Sequence, residues 1–251
     1  MPVLEKITSA GNPLIKMVRR AVARGELTAS GAMIAESVHL LDEALRSGAE
    51  IERVLVSESA VHRIPPALDA LVLDDRLFEE IAATEASQGV MTLVKPRRWT
   101  IGNLVSTQAL IVVLDGLQDP GNAGSIVRAA EAFGATGVVF LKGTVSPFNP
   151  KAVRAAAGSL FRLPFIEGMG ALEFLNIGIP LYAAMPRAAM LASTADLKIS
   201  CAIVIGGEGR GVSAALAAAA TPIAIPTVGV ESLNAAVAAG VLLYEARRQR
   251  M

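Results

Sequence analysis

Residues Leu114–Ala135 read LDGLQDPGNAGSIVRAAEAFGA, and this stretch decides the fold. It closes an apolar run, Ala109 to Leu114, that has the length and β-branched content of a buried parallel strand. Asp115, Gly116, Asp119, Pro120, Gly121 and Asn122 then break regular structure and predict a shaped loop. A helical period begins at Gly124, with Ile126, Val127, Ala129, Ala130 and Phe133 on one face, and Gly134 is placed to end it. Strand, polar loop and helix in that order predict a ligand site at the carboxyl end of a parallel strand. Arg128 falls one turn into the helix, six residues after Asn122.

The rest of the chain supports an α/β protein with a mostly parallel sheet. At 251 residues, 53% of them hydrophobic, it can build a sizeable core. Only 4% are aromatic, so the core is one of small, closely packed side chains. Net charge is zero, which confines any nucleic-acid surface to a local patch. The single cysteine, Cys201, lies in an apolar run and reads as an inert core residue. Polar residues interrupt the start of the chain and no apolar stretch reaches ~18 residues, so the expectation is a cytoplasmic protein without a membrane span.

Residues 1–98 read as a domain of their own, 99–104 as a linker and 105–251 as a second domain. In the first thirty residues five cations face two carboxylates, and Lys16, Arg19, Arg20 and Arg24 share one predicted helix. The expected order onward is strand Ala32 to Ala35, helix Val38 to Leu45, strands Arg53 to Val56 and Ala67 to Leu73, helix Asp75 to Ala83 and strand Val90 to Val94. Pro96, between Lys95 and Arg97-Arg98-Trp99, marks the boundary and could touch phosphate. In the second half, Gly137 to Leu141 is a strand and Pro147, Asn149 and Pro150 stiffen the loop that follows. Lys151, Arg154 and Arg162 surround a short helix ending near Gly158. Leu172 to Leu175 is a helix, Pro180 to Ala184 and Ala202 to Ile205 are strands, Ala214 to Ala220 a helix and Pro222 to Ile225 a strand. Glu231-Ser232-Leu233-Asn234 leads a long helix ending in Arg247, Arg248 and Arg250.

The loop Gly206-Gly207-Glu208-Gly209-Arg210-Gly211 follows the Ala202 strand. Its glycines let backbone approach a ligand closely, but it matches neither a dinucleotide fingerprint nor a phosphate loop. A tight turn without function is the lesser alternative for such glycines, and packing does not account for Glu208. Asn122, Arg128, Glu208, Ser232 and Asn234 are the polar residues at three strand-to-helix junctions, which one parallel sheet brings to one edge. His39 and His62 are isolated and no CxxC or HExxH pattern occurs, so no metal is expected. No histidine lies in the second half, which disfavours a serine hydrolase.

DPGNAGSIVRAAEAFGA, IVIGGEGRGVS and IPTVGVESLNAAVAAGVLLYEARRQR, in that order, resemble the three motifs of the SpoU/TrmH family of RNA 2′-O-ribose methyltransferases in the SPOUT superfamily. The resemblance covers about residues 105–251. The first hundred, most closely ITSAGNPLIKMVRR, are more loosely similar to an L30e-like substrate-binding domain. It implies a deep trefoil knot at the C-terminus, a homodimer, and S-adenosylmethionine held by Gly206, Gly207, Glu208, Ile225, Leu233 and Asn234. Arg128, Asn122, Glu208, Ser232 and Asn234 match its catalytic positions, and Lys16, Arg19, Arg20, Arg24 and Arg154 would meet RNA. The RNA expected is 23S rRNA, ahead of tRNA, because of the additional N-terminal module. Rival readings are an RNA-binding protein without catalysis and a Rossmann-type nucleotide enzyme. Thr227 stands where the family usually has methionine, the loop before Ser232 is one residue shorter than usual, and Ala35-Glu36-Ser37 replaces a strand followed by Glu-Gly. A guanidinium with a pKa above ~12 is a poor base, so Arg128 reads as a stabiliser of developing negative charge.

Overall fold

A computed structural model describes residues 4–84 and 86–251. The chain divides into two compact units, one made of the chain up to Arg98 together with Phe148–Arg162, the other of Trp99–Pro147 and Leu163–Met251.

In chain order the first unit holds β1 (Leu4–Ile7), α1 (Pro13–Arg24), β2 (Met33–Glu36), α2 (Val38–Arg46), β3 (Glu50–Ser57), β4 (Ala70–Leu73), α3 (Asp75–Glu79) and β5 (Val90–Lys95). The second begins with α4 (Ile101–Leu104), β6 (Leu110–Asp115), α5 (Pro120–Ala132) and β7 (Gly137–Leu141). Next comes α6 (Pro150–Ala156), which belongs to the first unit. The second unit resumes with β8 (Phe165–Met169), α7 (Ala171–Leu175), β9 (Leu181–Ala184), β10 (Met190–Leu191), β11 (Cys201–Gly206), α8 (Ala214–Ala219), β12 (Thr221–Ala224) and α9 (Ala235–Arg250).

The first unit carries a five-stranded sheet in the order β1-β4-β3-β5-β2, parallel from β1 to β3 and antiparallel from β3 to β2. Alternation along β3 sends Leu55 into a core with Ile15 and Val18 of α1 and Phe78 of α3. Val54 and Val56 face the other way, into a core with Leu41 of α2. Phe148–Arg162 packs on this unit along β2 and through several side chains. Asn149 packs so closely on Gly25 that a Cβ there would lie 2.6 Å from its amide nitrogen, and Arg162 pairs with Glu43 at 2.6 Å. A continuous second domain from residue 105 therefore describes the sequence order but not this packing.

The second unit is a seven-stranded, wholly parallel sheet, β10-β12-β9-β11-β6-β7-β8. β6 and β7 are buried along their whole length, as strands covered on both faces must be. Ile111 and Val113 of β6 meet Phe174 of α7 and Leu216 of α8 on one face. On the other, α9 packs against α5 and β11.

Three sequence readings need correcting. Asp119-Pro120-Gly121-Asn122 does not exclude helix. Asp119 is the N-cap of α5, its carboxylate accepting from the Asn122 backbone N–H at 2.6 Å, and Pro120 takes the first helical position. Asn12-Pro13 and Asn149-Pro150 start α1 and α6 in the same way, so Asn149 and Pro150 open a helix and do not stiffen a loop. Finally, α9 starts after Asn234, whose side chain accepts from the Ala236 and Val237 N–H groups; Glu231 and Ser232 lie in the preceding loop.

The far end of α9 is anchored by more than its helix dipole. The Arg250 guanidinium donates to the carbonyls of Leu197 (2.7 Å), Gln108 (2.9 Å), Ala109 (3.1 Å) and Ile199 (2.6 Å). It also approaches Cys201 Sγ at 3.6 Å. Burial lifts the Cys201 thiol above its ordinary pKa, against the opposing pull of Arg250.

Two measurements test this packing. Cys201 should give no reaction with a chromogenic disulfide at neutral pH in the native protein, because it is fully buried and burial also disfavours its thiolate, and one equivalent after unfolding. Ala157 caps α6 with left-handed dihedrals, φ 48° and ψ 43°. Ala157→Gly should therefore raise stability to denaturant by about 1 kcal/mol, and a lowered midpoint would refute the strain.

Candidate active site

The carboxyl ends of β11, β6 and their neighbours carry the site. Asn122, in the first turn of α5, is the bridge between three segments. Its amide donates to Glu208 Oε1 at 2.7 Å, and its carbonyl oxygen accepts from the Asn234 amide at 3.0 Å. Glu208 lies in the loop after β11 and Asn234 caps α9, so one carboxamide ties all three junctions. The amide orientation follows from this network, since only the nitrogen can donate to a carboxylate.

Beside this bridge lies a cavity of about 390 Å³, within the range of small-molecule sites. Ile205, Ile223, Ile225 and Leu233 give it apolar walls, while Glu208, Ser232 and Asn234 bring polar groups to it. Gly206 and Gly207 line it too. Their identity is already fixed by backbone packing. A Cβ on Gly206 would lie 2.2 Å from the Gly211 carbonyl carbon, and one on Gly207 2.5 Å from the Gly116 carbonyl oxygen. Glu231 stands at the rim and pairs with Arg187 at 2.7 Å, an exposed contact.

A second cavity, of about 600 Å³, opens on the other side of the same loop. Gly207, Glu208 and Gly211 line both, so one loop separates them. Asp115 stands in its wall, 8% exposed, its carboxylate accepting from the Ser213 N–H at 2.6 Å and its carbonyl from the Gly207 N–H at 3.0 Å. Gln118 is held by the carbonyls of Gly116 (3.1 Å) and Gly143 (2.5 Å). Asp115, Gln118 and Lys142 join the site without any motif in the sequence marking them as members. The Asp115 to Asp119 loop was the available signal.

The predicted residues divide accordingly. Asn122, Glu208 and Asn234 are brought together by hydrogen bonds, and Gly206, Gly207, Ile225, Ser232 and Leu233 line the first cavity with them. Arg128 is exposed on α5, lines neither cavity, and has no hydrogen bond or ion pair with a described residue. Lys16, Arg19, Arg20 and Arg24 lie on α1 and Arg154 on α6, both in the first unit; Arg19 is paired with Glu80 at 2.7 Å. Among the described residues no cluster of three His, Cys, Asp or Glu side chains is set to hold a metal ion, and no helix is long and apolar enough to cross a membrane.

The glycine readings separate by mutation. Gly207→Ala should cost about 1–3 kcal/mol in chemical denaturation, because the new Cβ must displace backbone. Gly209→Ala, whose Cβ meets open space, should change stability by less than ~0.5 kcal/mol. Equal effects would refute packing as the reason for Gly207.

Known proteins are similar to this chain in sequence and fold. Residues 109–244 match the SpoU rRNA methylase family. The 23S rRNA guanosine-2′-O-methyltransferase RlmP of Bacillus subtilis is 30% identical over 97% of this chain and 100% of its own length. The crystal structure of an RNA 2′-O ribose methyltransferase superposes with a TM-score of 0.81 at 33% identity, covering 98% of this chain and 99% of that one. The SpoU methyltransferase AviRb of Streptomyces viridochromogenes, crystallised with the cofactor AdoMet, gives a TM-score of 0.84 at 25% identity over 95% of this chain and 98% of its own. With the mixed α/β fold, the parallel sheet and the motif-bearing loops in place, the chain belongs to the SpoU methylase family.

Proposed function

We propose that this protein is an S-adenosylmethionine-dependent RNA methyltransferase acting on a ribose 2′-hydroxyl of 23S rRNA. The observation that carries the reading is the Glu208–Asn122–Asn234 bridge standing beside a cavity with apolar walls. The residues present fit the cofactor. The cavity has the volume of a nucleoside-sized site, Ile205, Ile223, Ile225 and Leu233 suit an adenine ring, and Glu208, Ser232 and Asn234 suit hydroxyl and amine groups. When bound, S-adenosylmethionine would supply an electrophilic sulfonium methyl group; its transfer to the 2′-oxygen would leave a neutral thioether, with the hydroxyl proton released to solvent.

The contribution of this chain is placement and electrostatics. Gly206, Gly207, Ile225 and Leu233 shape the cofactor wall. Glu208 is held by Asn122, and Asn234 by both Asn122 and its own helix, so these groups keep one arrangement before the acceptor arrives. Arg128 is assigned to the acceptor, stabilising the charge that grows on the 2′-oxygen and orienting the adjacent phosphate.

Arg128 lies outside both cavities of its own chain, which favours a homodimer in which it serves the partner's site. Val237, Val241 and Tyr244 of α9 support the same reading. They are 53%, 40% and 56% exposed and spaced to share one helix face, with Tyr244 packed edge-on against Phe133 at 5.9 Å between ring centroids. We assign the C-terminal segment to a trefoil knot, as in SPOUT proteins, and the first unit to an L30e-like RNA-binding module working in the cytoplasm. The exposed Lys16, Arg20, Arg24 and Arg154 of that unit have no ion pair with a described residue, which suits contact with phosphate. Residues 1–98 then form the RNA-binding domain and 105–251 the methyltransferase domain; the expected linker 99–104 instead packs with the second unit as α4, and the α6 segment packs on the first.

Mass spectrometry of 2′-O-methylated nucleosides in RNA from cells with and without the protein tests the reading. One methyl mark should disappear from 23S rRNA; loss from tRNA would move the substrate, and loss of none would refute the enzyme. Arg128→Lys should lower turnover by about 100-fold or more, since an ammonium cannot reproduce the planar fork. Near-normal turnover would remove that role.

A further inference from the structure

The second cavity is unused by the cofactor reading. It measures about 600 Å³, and its lining carries both cations and carboxylates. Two cations, Lys142 at the end of β7 and Arg210 in the loop after β11, stand in its wall, both exposed. Two carboxylates stand there with them, and both are occupied. Asp115 is taken up by the Ser213 N–H, and Glu208 by the Asn122 amide. Neither Lys142 nor Arg210 has an ion pair with a described residue, while the two carboxylates are engaged by neutral N–H donors, so both cationic heads are open to an anionic ligand although the lining as a whole is balanced in charge.

We propose that this second cavity receives the sugar–phosphate backbone of the acceptor RNA, with Lys142 and Arg210 contacting phosphate. The inference rests on the methyltransferase reading and deepens it. A phosphodiester is a singly charged anion whose oxygens take charge-assisted hydrogen bonds from ammonium and guanidinium groups. The neighbouring Gln118 is already spent on the Gly116 and Gly143 carbonyls, which leaves Lys142 and Arg210 as the charged donors of the wall. The cavity shares Gly207, Glu208 and Gly211 with the cofactor cavity, so a nucleotide held here lies one loop away from the methyl donor. Neither Lys142 nor Arg210 lines the first cavity, so their role separates from cofactor binding.

The test uses the full chain, tritiated S-adenosylmethionine and rRNA isolated from cells lacking the protein. For Lys142→Ala with Arg210→Ala, kcat/KM for the rRNA should fall 10- to 100-fold. The slope of log binding constant against log salt should shrink by about 1–2, one lost phosphate contact per cation. Calorimetry should give S-adenosylmethionine affinity within twofold of wild type, and Lys142→Arg with Arg210→Lys should restore most of the salt slope. The proposal is overturned if the alanine variant keeps kcat/KM within twofold and the same slope while the wild type methylates the rRNA, a result that leaves the enzyme reading intact. A tenfold loss of cofactor affinity in the alanine variant also overturns it, by placing the cations in the cofactor site. A wild type that binds neither cofactor nor rRNA and transfers no methyl group fails the methyltransferase reading itself and takes this inference with it.

Discussion

One carboxamide, that of Asn122, holds the polar groups of the site in a single arrangement. It gives a hydrogen bond to Glu208 and takes one from Asn234, and each partner belongs to a different loop. Asp119 fixes the backbone under Asn122 by capping α5, and Asn234 is itself fixed by capping α9. Two helix starts and one glycine loop are thereby made to agree. Because Glu208 and Asn234 are exposed and Asn122 is only half-buried, the individual hydrogen bonds add only on the order of 1 kcal/mol each to stability. Their importance lies in geometry more than in energy.

Below that bridge the constraint is steric. β6 and β11 pair in register from Cys201 with Leu110 to Gly206 with Asp115, which brings two loops out side by side. Gly207 then passes so close to the Gly116 carbonyl that no side chain fits, and Asp115 closes the gap by binding the Gly207 and Ser213 N–H groups. The small-residue composition of the chain, with its 22 glycines, is the visible trace of such approaches. At the opposite end of the sheet Arg250 binds the carbonyls of Gln108, Ala109, Leu197 and Ile199, fixing α9 against the segments that enter β6 and β11.

Much of this was legible in the chain itself. The buried strands β6, β7 and β11 announce themselves as apolar runs, and the three motif loops fall where strands end, so the gathering of Asn122, Glu208 and Asn234 could be anticipated. Helix starts were harder. Asp119-Pro120 and Asn149-Pro150 read as loop punctuation, since proline breaks a helix interior yet favours its first turn, and only the capping geometry tells the cases apart. The short β1, the edge strand β8 and the two-residue β10 have too few residues to show a period. The packing of Phe148–Arg162 on the first unit depends on Gly25 meeting Asn149 and Glu43 meeting Arg162, pairs separated by more than a hundred positions, which no local pattern reveals. Arg128 is the instructive case, because its motif named it while its position on α5 leaves it outside the cavities of its own chain.

The loop carrying Gly207 and Glu208 is a wall with a cavity on either side. Occupation of one side that holds this loop still lowers the conformational entropy left to lose on the other, so the second ligand binds more tightly than it would alone. Such coupling is reciprocal by thermodynamic necessity, whichever ligand comes first. A partition one loop thick therefore makes the two halves of the site a cooperative pair, with no moving domain needed to join them.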